Sequence, residues 1–209
     1  SGYYDFAPLA KKHNIPVYIP ESFTLKTEAD IKFFQQHKFD LLIQGGWQRL
    51  FPKEVLASLS IGALGYHGSS EFLPKGRGRS PLNWCLVEGR KKFIMHLFLM
   101  KEGADDGDVI DHEIFDINDH DDIETLYYKY AISNKNLLLR NIDALLKKEF
   151  KIIPQEGEPS YYPKRTDKDG EINWQNMNVR EIYNLVRAVT RPYPGAWACR
   201  TAVGGRPRR

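Results

Sequence analysis

Cysteine is scarce in this sequence, and the two that occur, Cys85 and Cys199, lie far apart in no metal-ligating spacing. Two isolated cysteines cannot build the disulfide framework of a small secreted protein, nor do they form a zinc-binding pair. Their scarcity predicts a protein of a reducing compartment, the cytoplasm.

Long apolar runs are also missing. No stretch reaches the roughly 20 apolar residues that a membrane-spanning helix needs. The first residues, SGYYDFAPL, lack the basic-then-apolar pattern of a signal peptide. These absences predict a soluble protein with no membrane partner.

Residues 1–199, the body of the chain, have no marked excess of either charge sign. The formal net charge is +3, but four of the 30 basic residues lie in the last ten positions, which contain no acid. Without those four, the 27 acidic residues would outnumber the basic ones. Nucleic-acid-binding surfaces cluster lysine and arginine, so a general nucleic-acid-binding function would depend on the tail alone.

What the sequence does contain is an alternation of strands and helices, predicted from apolar runs and from helical periodicity with capping residues. The strands are expected at 17–19, 39–43, 61–66, 92–100 and 109–117, and the helices at 5–13, 27–38, 52–59, 80–87, 121–148 and 179–190. Such alternation favours an α/β fold, a Rossmann-like parallel sheet with helices on both faces. Because the chain begins inside a predicted helix, we expect the first strand of this fold to be missing.

The composition changes after the long helix. Residues 154–170 are rich in proline, glycine and charge, which predicts a linker. The linker separates a main domain at 1–153 from a C-terminal region at 171–209. We expect that region to be truncated, with a short strand at 171–174, a short helical extension and a basic tail.

A histidine and an aspartate stand where α/β proteins place reactive groups. His67 directly follows an apolar strand, and Asp105 lies in a glycine-flanked loop between two strands. An aspartate can orient a histidine and favour its protonated form. Each residue also has a structural alternative, a packed histidine or an acidic β-turn, and the sequence leaves open whether the two side chains meet.

Three further stretches are candidates for binding. The segment 73–81, LPKGRGRSP, is a cationic loop before a helix and suits an anionic ligand, although a solvated loop is the alternative. Gly45-Gly46-Trp47 follows a strand and permits either a flat ligand or a simple turn. The acidic segment 118–122 resembles a metal cluster, but helix capping explains its acids better, so we predict no metal.

Four of these stretches, in this order, resemble the folate-dependent formyltransferase family. They are GALGYHGS at 62–69, LPKGRGRSPLNWCLVEG at 73–89, GADDGDVI at 103–110 and RAVTRPYPGAW at 187–197. The family includes methionyl-tRNA formyltransferase, glycinamide ribonucleotide formyltransferase and the nucleotide-sugar N-formyltransferases.

The resemblance implies a catalytic centre of His67 and Asp105, with 10-formyltetrahydrofolate as formyl donor and no metal. The family has an asparagine two residues before the histidine, and here that position is Gly65. The stretch between His67 and Pro74 is also two residues longer than the family form. By position, the resemblance places the folate against Arg49, Leu50, Phe51, Arg79, Lys101, Glu102, Gly103 and Ala104.

The segment RGRSPLNW is more similar to the nucleotide-sugar branch than to the tRNA branch. The resemblance therefore implies that the formyl group moves to the amine of a nucleotide-linked amino sugar, with methionyl-tRNA as the alternative acceptor. Gly65 leaves a third hypothesis open, a non-catalytic folate- or nucleotide-binding relative. A homodimer is also left open.

Overall fold

The computed structural model describes residues 5–199, which form six α-helices and six strands. In chain order they are α1 (Ala7–Lys12), α2 (Glu28–His37), β1 (Leu41–Ile43), α3 (Lys53–Ala57), β2 (Gly62–Ser69), β3 (Arg77–Gly78), α4 (Pro81–Val87), β4 (Lys92–Leu99), β5 (Val109–Asp116), α5 (Ile123–Leu146), β6 (Tyr161–Tyr162) and α6 (Val179–Val189). None of these helices is long and apolar enough to cross a membrane. The predicted basic tail, 200–209, lies outside the described residues.

Four strands form the central sheet in the order β1-β2-β4-β5. β1 and β2 are parallel, whereas β4 is antiparallel to both β2 and β5. The predicted α/β class is confirmed, but the sheet of the described residues is mixed and not wholly parallel. The physical reason is clearest for β4 and β5: a parallel pair needs a crossover of a dozen or more residues, and the short loop between these strands can only form a hairpin.

The segment 17–19, predicted as a strand, does not form one. Val17 and Ile19 are exposed. A strand needs a neighbour for its backbone hydrogen bonds, and among the described residues this segment has none. β1 is consequently the edge of the sheet, where it pairs with β2 alone.

The main core lies on one face of the sheet, covered by α4, α5 and α6. α5 starts at a capping box between Asp122 and Thr125, and its fully buried leucines recur on one side of the helix. They are Leu126, Leu137 and Leu145. Burying such a side chain is worth about 2 kcal/mol. α6 packs against α4, so this C-terminal helix belongs to the same core.

The opposite face carries a second cluster, built on Leu25, Phe51 and Val55. Neighbouring residues of a strand point to opposite faces: Leu41 of β1 packs against the main core and Leu42 against the second cluster. Helices α2 and α3 pack over this second cluster. The predicted arrangement of helices on both faces is therefore present around β1.

The predicted linker at 154–170 contains ordered structure. β6 pairs in parallel with β3, with Tyr161 opposite Arg77 and Tyr162 opposite Gly78. A 3₁₀ helix, Asp167–Gly170, follows. The strand predicted at 171–174 is reduced to a single bridge. The chain after α5 is thus attached to the segment that precedes α4.

Candidate active site

His67 lies near the end of β2, a strand paired on both sides. The side chain is buried, with 7% of the residue exposed. Its Nε2 lies 2.8 Å from the main-chain oxygen of Gly76. A carbonyl oxygen only accepts hydrogen bonds, so Nε2 carries a proton and donates it to Gly76.

The loop between β4 and β5 brings Asp105 to the other ring nitrogen. Asp105 Oδ2 is 3.4 Å from His67 Nδ1, and it accepts a hydrogen bond from the main-chain N–H of Gly78 at 3.2 Å. When Nδ1 also carries a proton, the contact between His67 Nδ1 and Asp105 Oδ2 is a charge-assisted hydrogen bond. Tyr130 of α5 lies nearby: its pKa is raised by burial and, in smaller part, by the Asp105 carboxylate. The two residues singled out from the sequence are therefore neighbours.

One short segment, Gly76 to Gly78, supplies the main-chain partners of both side chains. The two glycines have φ of 72° and 104°, in the left-handed region that favours glycine. Space is also lacking: a Cβ at Gly76 would meet Ser69 Oγ, and one at Gly78 would meet the Tyr162 carbonyl oxygen. The glycines of the predicted binding stretch thus position the histidine–aspartate pair.

Gln155 holds the loop that carries Asp105. Its Nε2 donates to the main-chain oxygens of Asp105 at 2.8 Å and of Gly107 at 2.7 Å. Its Oε1 accepts from Arg77 Nη2 at 2.6 Å and from Nε at 3.2 Å. One amide therefore ties the aspartate loop to β3. Nothing in the sequence marks Gln155, because a single glutamine in a proline- and glycine-rich stretch has no characteristic spacing.

His96 is the cross-strand neighbour of His67. Its Nδ1 donates to the main-chain oxygen of His67 at 3.2 Å, and its Nε2 accepts from the N–H of Leu73 at 3.4 Å. The pKa of His96 is lowered to about 4, chiefly by burial and in smaller part by the neighbouring His67 and His112, while the hydrogen bond to the main chain of His67 opposes this shift. Phe72 lies in the stretch before Pro74 that is longer than in the family form, and its ring packs edge-on against the His96 ring. His96 is thus a neutral side chain that links the main chain of His67 to that of Leu73. Its spacing in the sequence gives no sign of this role.

Gly65 has no room for the asparagine that the resemblance expects there. A Cβ at this position would lie 2.6 Å from Phe98 Cζ and 2.9 Å from Met100 Cγ, well inside the roughly 3.5–4.0 Å of a carbon–carbon contact. Phe98 is buried and fills the space beside the strand. The face of β2 that carries His67 therefore offers no side-chain hydrogen-bond donor two residues earlier.

Most residues expected to bind folate lie near one another. Arg49, Leu50, Phe51 and Glu102 line one cleft, with a volume of about 690 Å³. Lys101 and Glu102 line a neighbouring cleft beside α3. Gly103 and Ala104 continue that loop to Asp105. Phe51 is buried while Leu50 is half exposed, which gives the first cleft an apolar wall and a charged rim.

Arg79 does not join them. It lines a separate cleft, together with Lys164 and Arg165 from the segment after β6. The resemblance thus assigns Arg79 to the folate site, but the fold places it in a different cleft from Arg49, Leu50 and Phe51.

The acidic segment 118–122 is used in helix capping and ion pairing. Asp122 caps α5, as predicted, and Asp121 pairs with Lys129 at 2.6 Å. Asp119 pairs with Lys91 at 2.7 Å. Across residues 5–199, no group of three or more histidine, cysteine, aspartate or glutamate side chains is arranged to hold a metal ion.

The family model for "Formyl transferase" matches residues 9–142. This chain belongs to the formyltransferase family. A second model, "Formyl transferase, C-terminal domain", matches residues 164–204. The family resemblance seen in the sequence is therefore confirmed.

Two curated relatives each share 33% identity with this chain. One is the bifunctional polymyxin resistance protein ArnA of Wigglesworthia glossinidia brevipalpis, aligned over 188 residues, 90% of this chain and 28% of that protein. The other is methionyl-tRNA formyltransferase of Thermodesulfovibrio yellowstonii, aligned over 190 residues, 91% of this chain and 60% of that protein. The chain thus spans less than two thirds of the length of either relative.

Solved structures confirm the Rossmann-like α/β fold of this chain. A 4-N formyltransferase from Francisella tularensis has a TM-score of 0.72 at 22% identity, covering 92% of this chain and 76% of that one. HypX from Aquifex aeolicus, in complex with tetrahydrofolic acid, has a TM-score of 0.67 at 23% identity, covering 80% of this chain and 28% of that one. At such identities the similarity concerns the fold alone.

Proposed function

We propose that this chain transfers a formyl group from 10-formyltetrahydrofolate to the amine of a nucleotide-linked amino sugar. The observation that carries the proposal is the pairing of His67 Nδ1 with Asp105 Oδ2 at 3.4 Å. An imidazole beside a carboxylate is suited to general acid–base catalysis. Both groups are aligned by main-chain contacts from one glycine segment, so their geometry is set before any ligand binds.

The chemistry of formyl transfer explains why such a pair is needed. An attacking amine must lose a proton, and the nitrogen that gives up the formyl group must gain one. His67 and Asp105 can accept the first proton at Nδ1 or Oδ2 and return it to the second nitrogen. A protonated His67 can also stabilise negative charge on the formyl oxygen. We assign the catalytic roles to these two residues on this basis.

The folate fits the cleft lined by Arg49, Leu50, Phe51 and Glu102. Its volume of about 690 Å³ is within the roughly 300–1,000 Å³ typical of small-molecule sites. Phe51 offers an apolar wall, and the main chain of the 101–104 loop leads from this cleft to Asp105. When bound, the folate supplies an activated formyl group. HypX, which shares the fold, binds tetrahydrofolic acid.

A nucleotide-sugar acceptor is favoured by the near-neutral body of the chain and by the RGRSPLNW segment. A second candidate acceptor is methionyl-tRNA, because the chain is 33% identical to a methionyl-tRNA formyltransferase. A third function, folate or nucleotide binding without catalysis, is favoured by the filled space beside Gly65. We propose a cytoplasmic location on the ground that the sequence contains only two cysteines, which lie far apart.

Binding and turnover separate these candidates. The purified chain is tested by thermal shift with 5-formyltetrahydrofolate, and then for formyl transfer to UDP- and dTDP-linked amino sugars and to methionyl-tRNA. We expect a folate-induced rise in Tm and transfer to one of the sugars. His67→Ala and Asp105→Asn should each reduce turnover by about 10²-fold or more, and His120→Ala, which alters an exposed histidine, should not.

Each alternative has its own outcome. Transfer to methionyl-tRNA but to neither sugar selects the second candidate. Folate binding without transfer to any acceptor selects the non-catalytic relative. A turnover that is the same for His67→Ala and the unmodified chain removes His67 from the mechanism.

A further inference from the structure

Three histidines lie side by side on one face of the central sheet. His67 of β2 is opposite His96 of β4, and His96 is opposite His112 of β5. His67 and His96 are buried, whereas His112 is exposed. The mechanism above uses His67 alone, and no cluster within residues 5–199 is arranged to hold a metal ion. The buried ring of His96 therefore needs another explanation.

A closed chain of hydrogen bonds runs from the main chain of His67 to its own imidazole. His96 Nδ1 donates to the main-chain oxygen of His67 at 3.2 Å, and His96 Nε2 accepts from the N–H of Leu73 at 3.4 Å. Three residues after Leu73, the main-chain oxygen of Gly76 accepts from His67 Nε2 at 2.8 Å. The carbonyl and the ring of His67 are thus attached to one segment, and His96 is the connection between them.

That segment includes the stretch before Pro74, which is two residues longer than the family form. The N–H of Lys75 donates to the main-chain oxygen of Phe72 at 3.0 Å, which closes a turn between Leu73 and Gly76. The Phe72 ring packs edge-on against His112, with the ring centroids 5.0 Å apart. The extra length therefore brings Leu73 to the row of histidines, where its N–H can reach His96.

Two other contacts of this stretch lie nearer the surface. Ser70 Oγ is 3.1 Å from the Tyr162 hydroxyl, and Glu71 pairs with Arg90 at 3.8 Å. Exposed ion pairs such as that of Glu71 contribute little. The contact of Leu73 with His96 is buried, and a buried N–H that loses its acceptor is costly. His96 is therefore the partner that fixes this stretch against the sheet.

The position of Gly76 decides which ring nitrogen of a neutral His67 carries the proton. A neutral imidazole has one N–H, and a carbonyl oxygen only accepts, so Gly76 keeps the proton on Nε2. Asp105 Oδ2, 3.4 Å from Nδ1, attracts the proton to the other nitrogen. When the proton is on Nε2, the lone pair of Nδ1 is free to accept the proton of an attacking amine.

We propose that His96 is a positioning residue for formyl transfer, which through its hydrogen bond with Leu73 holds Gly76 against the His67 ring and keeps neutral His67 protonated at Nε2. This role rests on the proposed function, in which His67 is the acid–base group. His96 must be neutral to accept from Leu73. Its lowered pKa of about 4 keeps it so, and the titratable groups that face it, His67 of β2 and His112 of β5, both disfavour its protonation.

Three substitutions separate the two hydrogen bonds of His96. A glutamine amide can replace Nε2 as the acceptor for Leu73, an asparagine amide can replace Nδ1 as the donor to His67, and leucine can do neither. We expect kcat for formyl transfer to fall by about 10- to 100-fold in His96→Leu. His96→Gln should retain the most activity and His96→Asn less. The KM for 10-formyltetrahydrofolate should stay nearly the same, since His96 does not line the proposed folate cleft.

The matched control is Leu137→Val, which changes a fully buried side chain of the main core. It lowers the stability of the chain without altering the hydrogen bonds around His67. Losses of kcat that follow the loss of Tm equally in Leu137→Val and His96→Leu would give His96 a merely structural role and overturn the proposal. So would a His96→Gln variant that is no more active than His96→Leu.

Nitrogen-15 spectra of the imidazole rings test the same role without turnover. The His67 signals are identified by their loss in His67→Gln. At a pH where His67 is neutral, the unmodified chain and His96→Gln should both carry the proton on Nε2. In His96→Leu a large share of the protons should move to Nδ1, towards Asp105. An unchanged tautomer of His67 in His96→Leu overturns the proposal even if its turnover falls.

Shortening the chain tests the contribution of the longer stretch. Removal of Glu71 and Phe72 restores the family length and should withdraw Leu73 from His96. His96→Leu should then cost little further kcat, because the two changes break the same connection, and fully additive losses would contradict this reasoning. If the unmodified chain formylates no acceptor, the proposed function is wrong, whereas the tautomer measurement still decides whether His96 positions His67.

Discussion

Restoring the asparagine of the family at position 65 should destabilise this protein. The new side chain starts from a Cβ 2.6 Å from Phe98 Cζ and 2.8 Å from Phe98 Cε2, so a buried ring must move. Overpacking of this kind typically costs about 1–3 kcal/mol, which for a chain of this size is a fall in Tm of roughly 2–12 °C.

The steric origin can be isolated with a second substitution. Phe98→Leu shortens the ring that blocks position 65, so Gly65→Asn should cost less in that background. The two substitutions should couple favourably by about 1–2 kcal/mol, within the range seen for residues in contact. Gly45→Asn is the matched control, because nothing lies within 4 Å of a Cβ there, and it should change stability by less than about 0.5 kcal/mol.

The measurement is urea-induced unfolding, followed by circular dichroism. It is made on the unmodified chain, Gly65→Asn, Phe98→Leu, the double variant and the control Gly45→Asn. Equal unfolding midpoints for Gly65→Asn and Gly45→Asn would refute the steric reasoning, and so would strictly additive effects of Gly65→Asn and Phe98→Leu. Position 65 shares a strand face with His67. An asparagine with room in the double variant can therefore donate to the reacting oxygen, and formyl transfer should rise by up to about 10².

Three other residues give separate predictions. Burial lowers the pKa of His96 to about 4 in the folded chain. Between pH 7 and pH 5 the unfolded chain therefore binds a proton that the folded chain does not, and the free energy of unfolding should fall by about 2 kcal/mol. His96→Gln should lessen this fall in denaturation curves at the two pH values, and an identical fall would contradict it. Gln155→Glu keeps the acceptor for Arg77 but loses the donor to the aspartate loop, so kcat for formyl transfer should drop on the order of 10-fold; an unchanged kcat would remove Gln155 as a positioning residue. Arg187→Leu leaves the buried main-chain carbonyl of Asp121 without its side-chain donor and removes a part-buried bond to the Asn118 carbonyl, so it should cost about 3 kcal/mol in urea unfolding. The exposed control Arg180→Gln should cost at most about 1 kcal/mol, and similar costs for the two would contradict the structural role.

Local patterns in the sequence predict most individual elements. The boundaries of α2, α4 and α6 follow from capping residues and apolar spacing, although Ser80 precedes α4 without donating or accepting a side-chain cap. Ser80 has φ of 55°, in the left-handed region. The predicted start of α4 is right to within one residue, although no side-chain cap from Ser80 produces it. Residues 17–19 fail for a different reason, because an apolar run forms a strand only when a partner strand is present.

The pairing of the site depends on contacts between distant parts of the chain. His67 and Asp105 could each be named from their positions at a strand end and in a glycine-flanked loop. Their contact depends on the antiparallel pairing of β2 with β4, which periodicity does not encode. His96 and Gln155 are harder still, because their roles come from cross-strand register and from packing of the segment after α5, and neither has a sequence pattern of its own.

The small sheet of β3 and β6 makes the proposed catalytic centre depend on a part of the chain that carries neither His67 nor Asp105. The main-chain N–H of Arg77 donates to Ser160 O at 2.9 Å, and that of Arg79 donates to Tyr162 O at 3.1 Å, so these bonds brace the segment that aligns both His67 and Asp105. A fragment cut after α5 would retain the whole four-stranded sheet and both reacting side chains. It would lose the brace, and with it Gln155. Such a fragment would also lose the α6 side chains of the main core, so the end of the described chain serves both the packing of the core and the alignment of His67 and Asp105.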